Sequence, residues 1–194
     1  MSDSDFNQNG KINATHVNGI VLHILIQKQE RCGEMKNGIE VDEFKEICSA
    51  SIRNCGGIIS NISTNAIMGI FAGDDAETKA ADCVSRLRDL LYCKRSDNGW
   101  HIIMKACING GEIIIGSSLG NDEYEVMGSA VSASFQILDT TNIMQISLTR
   151  HVRDKLVDRY HFVPRRPTDI GLKPVLLFYL HTPADMPCAL SENA

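Results

Sequence analysis

Asn109–Gly110–Gly111–Glu112 and, a little further on, Tyr124–Glu125–Val126–Met127–Gly128–Ser129–Ala130–Val131 are the stretches that decide the fold. The glycine pair predicts a turn leading into an apolar strand, Ile113 to Ile115. A polar loop follows, then a short strand that ends at Gly128 and opens a helix rich in small residues. Along that helix Ala130, Val131, Ser134, Ile137 and Leu138 recur at helical spacing, so one face is buried.

Working outward, Val17 to Ile26 is an almost unbroken apolar strand, with no room for a solvated face. Glu30 to Gly38 reads as a charged loop. From Glu40 to Asn54 the positions Val41, Phe44, Ile47, Cys48 and Ile52 stripe a helix, which Gly56–Gly57 stops. Two short strands, Ile58–Ile62 and Ala66–Phe71, flank a turn at Ser63–Thr64–Asn65. Asp74, with Glu77 three residues on, predicts the cap of a helix whose buried stripe is Ala80, Val84, Leu87 and Leu91. Ser96–Asp97–Asn98–Gly99 is a turn, and Trp100 to Ile108 a strand. Downstream come a strand at Ile143–Ile146, a helix striped by Leu148, Val152 and Leu156, and closing strands at Tyr160–Val163 and Val175–Leu180. This order predicts an α/β (α+β) sandwich with a ferredoxin-like core, one sheet with helices on one face. A single domain over 17–182 sits between flexible tails at 1–16 and 183–194.

Composition limits the function classes. With 43% hydrophobic and 22% charged residues, the 194-residue chain can bury a full core. No apolar run reaches membrane-spanning length, and Met1–Ser2–Asp3–Ser4–Asp5 lacks the basic start and apolar core of a signal peptide. Seven cysteines form no CxxC pair, so they read as small hydrophobes kept reduced in the cytoplasm. The net charge of −5 argues against nucleic acid as a partner. Between 150 and 166, six cations (Arg150, Arg153, Lys155, Arg159, Arg165, Arg166) face only Asp154 and Asp158, a local +4 that suits a solvated helix or an acidic partner.

The glycine-bearing middle resembles the catalytic domain of class III nucleotidyl cyclases. The pattern there runs roughly G-x-x-x-G-E-[VI]-[VI]-x-G, then Y-x-[VI]-x-G-x-x-V-N-x-A-x-R. The order of elements fits that domain over residues 17–180. Diguanylate cyclases share the core fold but carry G-G-[DE]-E-F in the hairpin turn. Here Gly56–Gly57 precede the hairpin, and no acidic pair occupies its turn.

The resemblance implies a chemistry that this sequence lacks the groups to perform. Cyclising ATP or GTP needs two divalent cations held by hard oxygen ligands. In the family these are aspartates, one in a first-strand pattern like F-A-D-I and one in the hairpin as G-D-x-[VM]-M. Aligned on those patterns, the metal positions hold Leu25 and Asn65. The lysine that helps read the base falls on Asn61, and the base-reading aspartate on Glu125. The transition-state asparagine falls on Ser132 and the phosphate-neutralising arginine on Gln136, which carries no charge. The expectation is therefore no catalytic residue, no metal and no cofactor. Family domains pair across the site, which implies a homodimer or a heterodimer with another cyclase-type domain. Ala66, Met68, Ile70, Ala130, Ala133 and Ser134 are the expected contact face, exposed in a lone monomer.

The function implied is that of an inactive dimerising module in signal transduction. The alternatives are a divergent adenylate or guanylate cyclase of weak activity, and a nucleotide sensor without turnover. No GxSxG, P-loop, HExxH or GxGxxG motif offers another chemistry. His23 reads as a core histidine, and Cys107 has no visible histidine partner. Gly116–Ser117–Ser118–Leu119–Gly120 opens no helix pattern that could hold a phosphate.

Overall fold

The computed structural model describes residues 14–29, 39–97, 100–120, 123–171 and 173–181. Its strands and helices are β1 (Thr15–Lys28), α1 (Ile39–Asn54), β2 (Ile58–Ile62), β3 (Ala66–Ala72), α2 (Ala76–Asp97), β4 (Ile102–Gly120) and β5 (Glu123–Met127). They continue with α3 (Ser129–Thr140), β6 (Ile146–Thr149), α4 (Arg150–Leu156), β7 (His161–Pro164), β8 (Thr168–Ile170), β9 (Lys173–Val175) and β10 (Leu177–His181). The main sheet runs β1-β3-β2-β5-β4-β6-β10-β7, and β1 also pairs with β4. The expected tails fall largely on 1–13 and 182–194, and the expected loop on 30–38; these lie outside the described residues.

All 14 residues of β1 pair antiparallel with β4, from Thr15 opposite Ile115 to Lys28 opposite Ile102. That ladder overturns the expected turn at Gly110–Gly111. β4 passes through both glycines unbroken, joining the expected strands at Trp100–Ile108 and Ile113–Ile115 into one. The glycines serve close approach instead. A Cβ on Gly110 would lie 3.0 Å from Ile20 Cδ1 and 3.3 Å from His151, and one on Gly111 3.2 Å from the Ala130 Cβ. Both α3 and α4 thus settle onto a stretch of strand without side chains. Gly128 has a different reason: at φ +138 its added Cβ would meet the Glu112 carbonyl oxygen at 2.6 Å, so only glycine can open α3.

Side-chain alternation along β1 divides the core in two. Ile20, Leu22, Ile24 and Ile26 join Phe44 and Ile52 of α1, Val84, Leu87 and Leu91 of α2, and Val152 and Leu156 of α4. Each such side chain contributes on the order of 2 kcal/mol by leaving water. The alternate residues point the other way: Val21 clusters with Ala130 and Val131, and Leu25 packs against the cluster of Ile137 and Leu138. Helices therefore cover both faces, with α3 alone on the second, where one helical face was expected.

Three smaller expectations shift. β6 begins at Ile146 rather than Ile143, and Leu148 belongs to it, paired with Ile108 and Phe178 rather than opening a helix. α2 follows Asp75, at φ 60, whose carbonyl accepts from the Lys79 N–H; Asp74 is one residue too early to cap it. Ser96 and Asp97 complete α2 instead of turning, and the rest of that turn, 98–99, lies outside the described residues.

The basic segment mostly has internal partners. Arg150 and Arg153 pair with Asp154, and Arg159 with Asp82. Arg165 donates to Ser147 Oγ and the Thr140 carbonyl, and its guanidinium lies over the Tyr179 ring. Tyr160, expected to begin a strand, instead donates its hydroxyl to Asp82 just ahead of β7. Among the described residues, no helix is long and apolar enough to cross a membrane.

Candidate active-site face

The face of the sheet beneath α3 carries the positions singled out in the sequence. Register places Leu25 between Ala66 of β3 and Lys105 of β4, and His23 between Met68 and Cys107. Val21 stands between Ile70 and Asn109. Asn65 precedes Ala66, is exposed, and accepts the Ile26 N–H on its backbone carbonyl at 2.7 Å. Asn65 thus sits in the turn just ahead of β3, next to the register partner of Leu25. Asn61 sits in β2 at the register position of Met68. Glu125 is an exposed residue of β5. Ser132 and Gln136 are exposed one turn apart on α3, with Phe135 beside them.

The expected contact face is not free. Met68, Ile70, Ala130 and Ser134 are between 0 and 3% exposed, because α3 lies over them within the same chain. Ala66 and Ala133 are half-buried. What α3 offers to solvent is Phe135, 49% exposed, which sequence periodicity did not single out. The one available signal for Phe135 was a large aromatic placed among polar neighbours on the outer side of α3.

His23 and Cys107, treated separately in the sequence, are register partners. Their environment still rules out a nucleophile–base pair. Cys107 is wholly buried and gives its thiol proton to the Ser134 carbonyl at 3.2 Å. Burial pushes that thiol up to about 12, with the His23 backbone pulling weakly the other way. Burial also holds His23 down at about 4, against a smaller upward pull from Asp139, so the imidazole is neutral at pH 7. Its Nδ1 lies 3.4 Å from Ser134 Oγ, and its ring meets Phe135 edge-on at 4.5 Å. Neither thiolate nor imidazolium can form at neutral pH, so the pair is structural.

His23 does give the fold a pH dependence. Its folded value, about 4, is below the ordinary 6.5, so the unfolded chain takes up the proton first. Stability is then intact above about pH 6.5 and falls as pH drops towards 4, by about 3 kcal/mol in all. Urea unfolding from pH 7 to 4 should show a shallower loss for His23→Asn than for the parent protein. Equal slopes would contradict the assignment.

No protein-family profile matches this sequence, and no curated protein does. Solved structures do match. The adenylyl cyclase CyaB from P. aeruginosa superposes with a TM-score of 0.76 at 13% identity, over 88% of this chain and 96% of that one. The fold is that of a class III nucleotidyl cyclase catalytic domain. The guanylyl cyclase Cya2 is similar at a TM-score of 0.72 and 21% identity, covering 86% of this chain and 93% of its own. The dimeric guanylyl cyclase domain of the RhoGC fusion protein from the aquatic fungus Blastocladiella emersonii gives 0.70 at 11%, covering 86% and 97%.

A cyclase fold implies divalent cations, and the residues at the resemblance's metal positions do not fit them. Leu25 offers only hydrocarbon, already engaged with the cluster of Ile137 and Leu138. Asn65 offers one neutral carbonyl in place of an anionic ligand. Lys105, the register partner of Leu25, adds a cation where a metal would need anions. Among the described residues, no group of three or more His, Cys, Asp or Glu could hold a metal ion.

Proposed function

We propose that this chain is a catalytically inactive cyclase-type domain that works as a dimerising regulatory module in intracellular signalling. One observation carries the reading: Leu25, on which the family's first-strand pattern puts a metal carboxylate, is a half-buried leucine packed against the cluster of Ile137 and Leu138. Neutral side chains at Asn65, Ser132 and Gln136 support it, since none supplies the anionic metal ligand or the phosphate-neutralising cation that cyclisation needs. Its place is the cytoplasm, where buried free thiols such as Cys48, Cys83 and Cys107 persist.

Pairing is proposed through the outer side of α3. Phe135 is a large apolar side chain about half exposed, and a two-fold dimer would cover both copies of it at once. The RhoGC domain, of the same fold, is solved both as a non-canonical dimer and as a monomer. Light scattering across a concentration series should show a dimer, and Phe135→Asp a monomer that stays folded. A monomer at every concentration, indifferent to Phe135→Asp, would contradict a homodimer through this face.

A further inference from the structure

A groove of about 550 Å³ opens between the start of α2 and α4, over the step of the sheet where Ile20 of β1 faces Gly110 of β4. That volume suits a small ligand. Glycine makes the room. A Cβ on Gly110 would lie 3.3 Å from His151 Cδ2, and one on Gly73, beside α2, would have nothing within 4 Å. The floor is closed by packed hydrocarbon, with Ile20 and Ala76 at 3% and 4% exposure.

The walls carry opposite charges. His151 and Lys155, four residues apart on α4, share one helix face. Glu77, in the first turn of α2, lines the same groove, and so does Asn18 of β1. Among the described residues, no ion pair joins Lys155 to Glu77, and no side-chain hydrogen bond engages either of them, His151 or Asn18. The arginines of the same basic segment differ: Arg150, Arg153 and Arg159 all have carboxylate partners. A simple anion in this groove would meet Glu77, and a simple cation would meet Lys155. A molecule bearing both charges satisfies both walls.

We propose that the groove binds a small zwitterion, a free α-amino acid. The Lys155 ammonium and an N–H of His151 donate to its carboxylate, while Glu77 accepts from its ammonium. Its side chain then rests over Ile20 and Ala76. None of these residues lies on α3, so the site is independent of dimerisation through Phe135.

Thermal unfolding of the full chain in the presence of each common L-amino acid, at about 10 mM, tests this. At least one should raise the midpoint by about 3–5 °C, the shift of a millimolar site at about ten times its dissociation constant. The methyl ester of that amino acid lacks the anion and its N-acetyl form lacks the cation, so neither should do so. Lys155→Met and Glu77→Gln should stay folded and lose the shift. In the parent protein, titration should also move the backbone amide resonances of Gly110 and Gly111. Stabilisation by no amino acid, or stabilisation that survives both substitutions or is matched by the ester, would overturn the proposal.

Discussion

Met68→Asp is expected to cost the protein on the order of 4 kcal/mol, enough to leave much of a marginal domain unfolded. Met68 is 3% exposed, in a cluster with Val21, Ile70, Ile113, Ala130 and Val131. A carboxylate there would lose its water without gaining a partner; the register neighbours of Met68 across the sheet are His23 and Asn61. Protonation would spare the charge but leave a polar group among hydrocarbon and a void where the thioether was. Urea unfolding followed by circular dichroism gives the number directly. A midpoint within error of the parent protein would mean that Met68 lies at a surface after all. Phe135→Asp makes the contrast: that side chain is half exposed and meets His23 only edge-on, so the midpoint should fall far less than in Met68→Asp.

That contrast shows where the sequence was legible. α1 and α2 follow from one-sided apolar periodicity, because each buries its stripe in the same large core, and β1 from an apolar run buried on both faces. Pairwise information was harder to read. Met68 and Ile70 look like an edge surface until α3, some sixty residues away in the chain, is known to lie on them. Gly110–Gly111 could mean a turn or a close approach, and only the β1–β4 ladder decides for the second. β6 was misplaced because Ile143 and Ile146 look equally apolar, while pairing with β4 and β10 selects Ile146 onwards.

The candidate site divides in the same way. Leu25 and Asn65 could be placed because the hairpin motif anchors their register, and β1 and β3 bring those positions together. The nearness of His23 to Cys107 comes from a ladder between residues 84 positions apart and left no local trace. Lys105 beside Leu25 was hidden for the same reason. Phe135 was overlooked because periodicity identifies what helices bury, and its importance lies in what α3 leaves out.

The largest effect expected is the loss of cyclisation itself. Losing a single transition-state donor costs a factor of about a hundred to a thousand, and on the proposed reading Ser132 and Gln136 stand where two would be needed. Removing the metal carboxylates adds to this, because two cations activate the nucleophile and hold the triphosphate in line. On the proposed reading, which puts Leu25 and Asn65 at the metal positions, chemistry of that kind does not begin. The direct measurement is cyclic nucleotide formed by the purified protein from ATP or GTP with Mn²⁺. No product above an enzyme-free blank is the expected result. Product that scales with protein concentration and disappears on adding a chelator would contradict it.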